Sequence, residues 1–116
     1  MSIQMVGIDH SRAGIDVRSI FSFTKKGIES AFEYVKTLKG VEGCIILSTC
    51  NRMELWISIK EDAEVSLVSE LCSIKKVSEE KYEKYFVCRD GREAVSHLFR
   101  LSCGLESRIL GEDQII

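Results

Sequence analysis

The stretch Cys44-Ile45-Ile46-Leu47-Ser48-Thr49-Cys50-Asn51-Arg52-Met53-Glu54-Leu55-Trp56-Ile57-Ser58-Ile59 decides the fold of this 116-residue chain. Its first part, Cys44 to Ser48, is a short and nearly continuous apolar run, which reads as a buried strand. Its last part, Met53 to Ile59, alternates Leu55, Ile57 and Ile59 with Glu54, Trp56 and Ser58, the period-two pattern of a partner strand. Thr49-Cys50-Asn51-Arg52 between them is short enough to close a hairpin.

Before the hairpin, Ile3 to Asp9 reads as a first strand whose two apolar faces suggest a central position in a sheet. Ser11 to Phe21 reads as a short helix. Thr24 can cap a second helix with Ile28, Ala31, Phe32, Val35 and Leu38 on one face, and Gly40 can end it. After the hairpin, Glu61 to Cys72 reads as an amphipathic helix with Val65, Val68, Leu71 and Cys72 inward. Tyr82 to Cys88 reads as a fourth strand. Arg92 to Leu105 reads as a last helix with Ala94, Leu98, Leu101 and Leu105 on one stripe. The order β-α-β-β-α-β plus a C-terminal helix predicts an α+β fold, a ferredoxin-like split β-α-β sandwich in one domain. That fold hosts many functions and implies none of them.

Hydrophobic residues make up 45% of the chain and charged residues 29%, so a packed core is expected and disorder is not. No apolar run reaches the roughly 20 residues that span a bilayer. The start carries no basic segment before an apolar one, so a cytoplasmic protein without membrane association is expected. A net charge of -2 does not suggest a general nucleic-acid binder, and the pairs Lys25-Lys26 and Lys75-Lys76 read as solvated faces. The five cysteines are odd in number and lack C-x-x-C spacing, which argues against a disulfide framework or a zinc site.

Cys50 differs from Cys44, Cys72, Cys88 and Cys103 in position. It falls in the turn after a strand, among Ser48, Thr49, Asn51 and Arg52, where a side chain can stand open on a rigid support. A cationic Arg two residues away can favour thiolate over thiol. His10 follows the first strand and His97 lies on the last helix; either could serve a nearby site. The tail from Gly104 to Gln114 is a second dense polar patch that could wrap a polar ligand.

These residues together resemble a known family. Ser48-Thr49-Cys50-Asn51-Arg52-Met53-Glu54 resembles the Ser-Thr-Cys-Asn-Arg-x-Glu signature of glutamyl-tRNA reductases. His97 to Ser107 followed by Ile109-Leu110-Gly111-Glu112-Asp113-Gln114-Ile115 resembles the second signature, and Gly7-Ile8-Asp9-His10 the opening strand end. The resemblance implies an N-terminal catalytic domain over residues 1–116, acting on glutamyl-tRNA at the start of tetrapyrrole (porphyrin) biosynthesis. It makes Cys50 the nucleophile that holds the glutamyl group as a thioester. His97 would move a proton, and Thr49, Asn51, Arg52, Ser107, Glu112, Asp113 and Gln114 would hold the substrate. Arg52 suits the substrate carboxylate, because a planar guanidinium grips one with two bonds. The resemblance also implies NADPH as reductant, a homodimer in the full-length enzyme and a downstream semialdehyde aminomutase as a partner.

The sequence departs from the family where Asp113 replaces a usual proline and where Ser11-Arg12-Ala13-Gly14-Ile15-Asp16 replaces Lys-Thr-Ala-Pro-x-Glu. It also lacks Gly-x-Gly-x-x-Gly, so NADPH-binding and dimerisation domains are expected to be absent from this chain. The alternatives are a non-catalytic ferredoxin-like module that binds an amino acid, and a thiol hydrolase built on Cys50 and His97.

Overall fold

A computed structural model describes residues 2–91, 94 and 97. Four strands, β1 (Ser2–Asp9), β2 (Val41–Ser48), β3 (Arg52–Ile59) and β4 (Val87–Asp90), form one sheet in the order β2-β3-β1-β4. Every pairing is antiparallel. Helices α1 (Ile15–Phe21) and α2 (Lys25–Lys36) connect β1 to β2. Helices α3 (Leu67–Lys75) and α4 (Glu79–Tyr82), then a 3-10 turn at Glu83–Tyr85, connect β3 to β4. This is the split β-α-β sandwich expected from the sequence, with β1 central as its apolar faces required.

The main core lies between the sheet and the helices. Val6, Ile8, Met53, Leu55, Ile57 and Ile59 meet Phe21, Val35, Leu67 and Leu71 there. Full burial of each such side chain is worth about 1.5–3 kcal/mol. Thr24 caps α2 as expected, its hydroxyl accepting from the Gly27 N–H at 3.0 Å. α2 stops at Lys36 with Thr37 as its C-cap, short of the Gly40 expected to end it; Gly40 instead has φ 88° in the turn into β2, where an added Cβ would lie 2.3 Å from the Ala63 Cβ, so only glycine fits there.

Four local expectations are corrected. The strand over Cys44 to Ser48 begins at Val41 and is an edge strand, not a buried one. Only one face meets α2, and Ile45 is 56% exposed. The helix over Ser11 to Phe21 starts at Ile15, because the backbone turns first: Asp9 C=O accepts from the Arg12 and Ala13 N–H groups. The helix over Glu61 to Cys72 is displaced to Leu67–Lys75, after a turn in which Ala63 N–H donates to Lys60 C=O. The strand over Tyr82 to Cys88 is largely helical turn, with pairing only from Val87. Tyr82 and Phe86 project together and meet the Phe21 ring edge-on at centroid distances of 5.3 and 4.9 Å. Of the last helix, Gly91, Ala94 and His97 are described and helical.

β3 is buried on both faces, which the alternating pattern did not suggest. Arg52, Glu54 and Trp56 are 2%, 3% and 4% exposed. A second small cluster of Met5, Trp56 and Ala94, with Ile3 against it, covers this face. Ala94 and His97 therefore cover part of the side of the sheet opposite the main core.

Candidate active site at the β2–β3 hairpin

The hairpin tip is held from several sides. Thr49 N–H donates to Arg52 C=O at 2.8 Å and closes the turn. The Thr49 hydroxyl accepts from the Asn51 and Arg52 N–H groups at 3.2 and 3.3 Å, filling the inside of the loop. Asn51 C=O accepts from His10 N–H at 3.0 Å, which extends the β1–β3 ladder one step past Asp9 and Arg52. Arg18 of α1 donates from a terminal guanidinium nitrogen to Cys50 C=O at 3.3 Å. Ser48, just before the tip, accepts from Phe23 N–H through its hydroxyl at 3.0 Å.

The outcome is one exposed thiol on a fixed rim. Cys50 is exposed, while Cys72 is buried and Cys44 half-buried. Burial pushes the Cys44 thiol up to about 11. It also raises Cys72, with the Glu79 charge adding to the effect. Cys88 is exposed too, on edge strand β4, with its thiol raised by partial burial. Cys103 lies outside the described residues.

Behind the tip, on the face covered by the last helix, sits a buried charged cluster. Glu54 accepts from the Trp56 indole N–H at 3.0 Å on one oxygen. Its other oxygen is 2.7 Å from His97 Nε2 and 3.7 Å from the Arg52 guanidinium. Burying a carboxylate so deeply is costly unless it is paired, and three partners surround this one. A carboxylate only accepts, so Nε2 is the His97 nitrogen that donates. The His97 ring also stacks on Trp56, with centroids 5.9 Å apart and planes 11° apart. Its Nδ1 is buried with no hydrogen-bond partner among the described residues.

Gly7 makes room for this cluster. It faces Glu54 across the β1–β3 ladder, and an added Cβ would lie 3.1 Å from the Glu54 Cγ. Two residues on, Asp9 pairs with Arg52. Partial burial disfavours the charged Asp9, but hydrogen bonds from Ser11 and the positive charge of Arg52 outweigh it, and its carboxyl titrates below the usual range. The strand end Gly7-Ile8-Asp9-His10 thus serves both the tip and the cluster.

The sequence-predicted site residues fall into three groups. Cys50 and Thr49 form the tip, with Asn51 buried beside them at 7% exposure. Arg52 and His97 are both placed against Glu54. Four steps of extended chain separate Cys50 from Glu54, at most about 13 Å. Ser107, Glu112, Asp113 and Gln114 lie outside the described residues. Sequence reasoning missed Arg18, Glu54 and Trp56 as site-forming groups. Glu54 stands in the quoted signature and could have been found there; Arg18 carried no local signal.

Among the described residues no group of three or more His, Cys, Asp or Glu side chains is placed to hold a metal ion. No described helix is long and apolar enough to cross a membrane.

The family model described as "Glutamyl-tRNAGlu reductase, N-terminal domain" matches residues 6–116. Glutamyl-tRNA reductases of Alkaliphilus oremlandii and Acetivibrio thermocellus are 42% and 39% identical over the whole chain. This chain spans 35% of the length of each of those relatives. The solved structure of glutamyl-tRNA reductase from Methanopyrus kandleri superposes with a TM-score of 0.70 at 29% identity, over 97% of this chain and 25% of that one. By sequence along its whole length and by fold, the chain belongs to the glutamyl-tRNA reductase family and corresponds to that family's N-terminal domain.

Proposed function

We propose that this chain is the acyl-accepting part of a glutamyl-tRNA reductase, with the Cys50 thiolate taking the glutamyl group from glutamyl-tRNA. The observation that carries this reading is the exposed Cys50 at a hairpin tip whose backbone is fixed by Thr49, His10 and Arg18. A rigidly presented thiol removes much of the entropy of bringing nucleophile and ester together.

In the proposed step the Cys50 sulfur attacks the ester carbonyl. A C–S bond forms, the bond to the terminal ribose oxygen breaks, and that oxygen leaves with a proton. The resulting thioester is less resonance-stabilised than the ester and a better hydride acceptor. Thr49, Asn51, Arg52, Ser107, Glu112, Asp113 and Gln114 are proposed to hold the glutamate moiety, and His97 to move the proton. The hydrogen bond to Glu54 gives His97 a fixed ring orientation and leaves Nδ1 as the nitrogen open to further bonding.

The reductant proposed for the family reaction, NADPH, does not fit the described residues. The Rossmann type of dinucleotide site uses a glycine-rich turn between a strand and a helix of a parallel β-α-β unit, and every pairing among the described strands is antiparallel. The chemistry assigned to this chain therefore stops at acyl capture. The whole enzyme would go on to glutamate-1-semialdehyde in the cytoplasm, as a homodimer that passes its product to the aminomutase.

The reading is tested by following deacylation of glutamyl-tRNA by the chain. Wild type should release tRNA faster than the spontaneous rate, and Cys50→Ala should not. Equal rates for the two proteins would reject the assignment.

A further inference from the structure

The two lysine pairs that read as solvated faces in the sequence come together in the fold, and they come together at the Cys50 end of the sheet. Phe23 N–H bonds the Ser48 hydroxyl two residues before Cys50, and α2 then starts with Lys25 and Lys26, both exposed. The C-terminus of α3 reaches the same place. Its Lys75 ammonium donates to Ser22 C=O at 2.5 Å and lies 3.8 Å from the centre of the Phe23 ring. Lys76 follows, exposed, with a left-handed backbone at φ 57°. Arg18 completes the set at the tip, bonded to Cys50 C=O, and the exposed Arg12 lies in the turn after β1.

The opposite end of the sheet has the reverse character. Glu42, Glu61, Asp62 and Glu64 are exposed there, with Lys39 and Lys60 among them. Lys60 N–H donates to Gly40 C=O at that end, which fixes its distance from the tip by the full length of β3. A net charge of -2 therefore conceals a local gathering of basic side chains near Cys50, with the exposed Asp16 of α1 among them.

Lys25 and Lys26 also break a local rule. The first turn of α2 has no acidic residue and carries two cations, where the helix dipole favours negative charge. Local placement against the dipole is tolerated where function uses it. An anionic ligand at this end would offset both, since negative charge is favoured by the helix N-terminus and by the lysine cations alike.

We infer that the surface formed by Arg12, Arg18, Lys25, Lys26, Lys75 and Lys76 binds backbone phosphates of a nucleic acid whose 3′ end is presented to Cys50. This inference rests on the proposed function and adds to it the surface that grips the tRNA. Lys25, Lys26 and Lys76 supply exposed point charges for phosphates. Lys75 ties α3 to the α1–α2 junction and so keeps the two lysine pairs in register. Arg18 stands between this surface and the thiol. Neutralising phosphates releases counterions, so binding should weaken steeply with salt.

The test is binding of deacylated glutamate tRNA to the chain across a range of salt concentrations. Wild type should bind with a negative log–log salt slope. The double variant Lys25→Glu/Lys26→Glu should bind on the order of tenfold more weakly, with a slope shallower by about two. The double variant Lys39→Glu/Lys60→Glu, with the same change in net charge at the other end, should bind as wild type does. Equal weakening by both variants, an unaltered slope in the first, or no wild-type binding at low salt would each overturn the inference. Because the probe carries no glutamate, Cys50→Ala should bind it as wild type does. Failed acyl transfer would thus count against the proposed function and leave this surface standing.

Discussion

Replacing Glu54 by glutamine leaves the shape of the side chain and removes its charge, so Glu54→Gln measures what the buried cluster is worth. In the folded protein the Glu54 carboxylate is 4% exposed and the Arg52 guanidinium 1% exposed, 3.7 Å apart, so solvent screens the pair little. The glutamine oxygen can still accept from Trp56 or from His97, and one of those two bonds survives as a neutral one. What is lost is a charge-assisted bond at 2.7 Å to His97 and the compensation of Arg52. Breaking a buried pair by removing one partner costs about 3–5 kcal/mol, and a retained neutral bond returns about 1 kcal/mol. The expected loss is therefore roughly 2–4 kcal/mol, a fall in Tm of roughly 8–15 °C for a chain of this size. Urea unfolding of both proteins at pH 7, followed by Trp56 fluorescence, gives the difference directly. A Glu54→Gln variant within about 0.5 kcal/mol of wild type, the range of ordinary surface changes, would refute the claim that this buried cluster ties His97 to the sheet.

Three further outcomes are expected. In brief iodoacetamide labelling near pH 8, mapped by peptide mass, Cys50 should react well before Cys44 and Cys72; with its thiol at about 11, Cys44 is thiolate to only about one part in a thousand there, and labelling of Cys44 ahead of Cys50 would contradict the assignment. Gly7→Ala should destabilise by about 1–3 kcal/mol, because its Cβ would stand 3.1 Å from the Glu54 Cγ and 3.3 Å from the Met53 carbonyl oxygen; a neutral result in thermal melts would show that the strands separate freely at this point. Asp9 titrates below the ordinary carboxylate range in the folded state, so its contribution is present above the unfolded value of about 3.9 and is lost as pH falls through the lower folded value. Asp9→Asn should accordingly cost stability at neutral pH and progressively less on acidification, and a gap that widens towards low pH would contradict that sign.

The hairpin was legible because alternation over Met53 to Ile59 and a short polar tip leave few other folds for residues 44–59, and the position of Cys50 followed from it. The Thr24 cap was legible because capping is a local event, whereas α2 stops at Lys36, before the Gly40 expected to end it. The burial of Glu54 and Trp56 was not. It depends on a helix more than thirty residues later in sequence, which brings Ala94 and His97 over a face that the strand pattern presents as polar. Tyr82 to Phe86 misled because aromatic residues favour strands, yet here the four-residue spacing of Tyr82 and Phe86 brings both rings to Phe21. Arg18 was invisible for a similar reason. It lies 32 positions from Cys50, and nothing local says that α1 crosses the hairpin tip. The gathering of lysines was hidden in the same way, since each lysine pair alone is a solvated face and only the packing of α2 and α3 on one sheet end joins them.

The most direct test of the account is to mix the chain with tRNA charged with radiolabelled glutamate, quench in acid within a single turnover, and map the label by peptide. Label should appear on the peptide that contains Cys50 and be released by hydroxylamine, as a thioester is. Label elsewhere, or undiminished label on the protein when Cys50 is replaced by alanine, would contradict it.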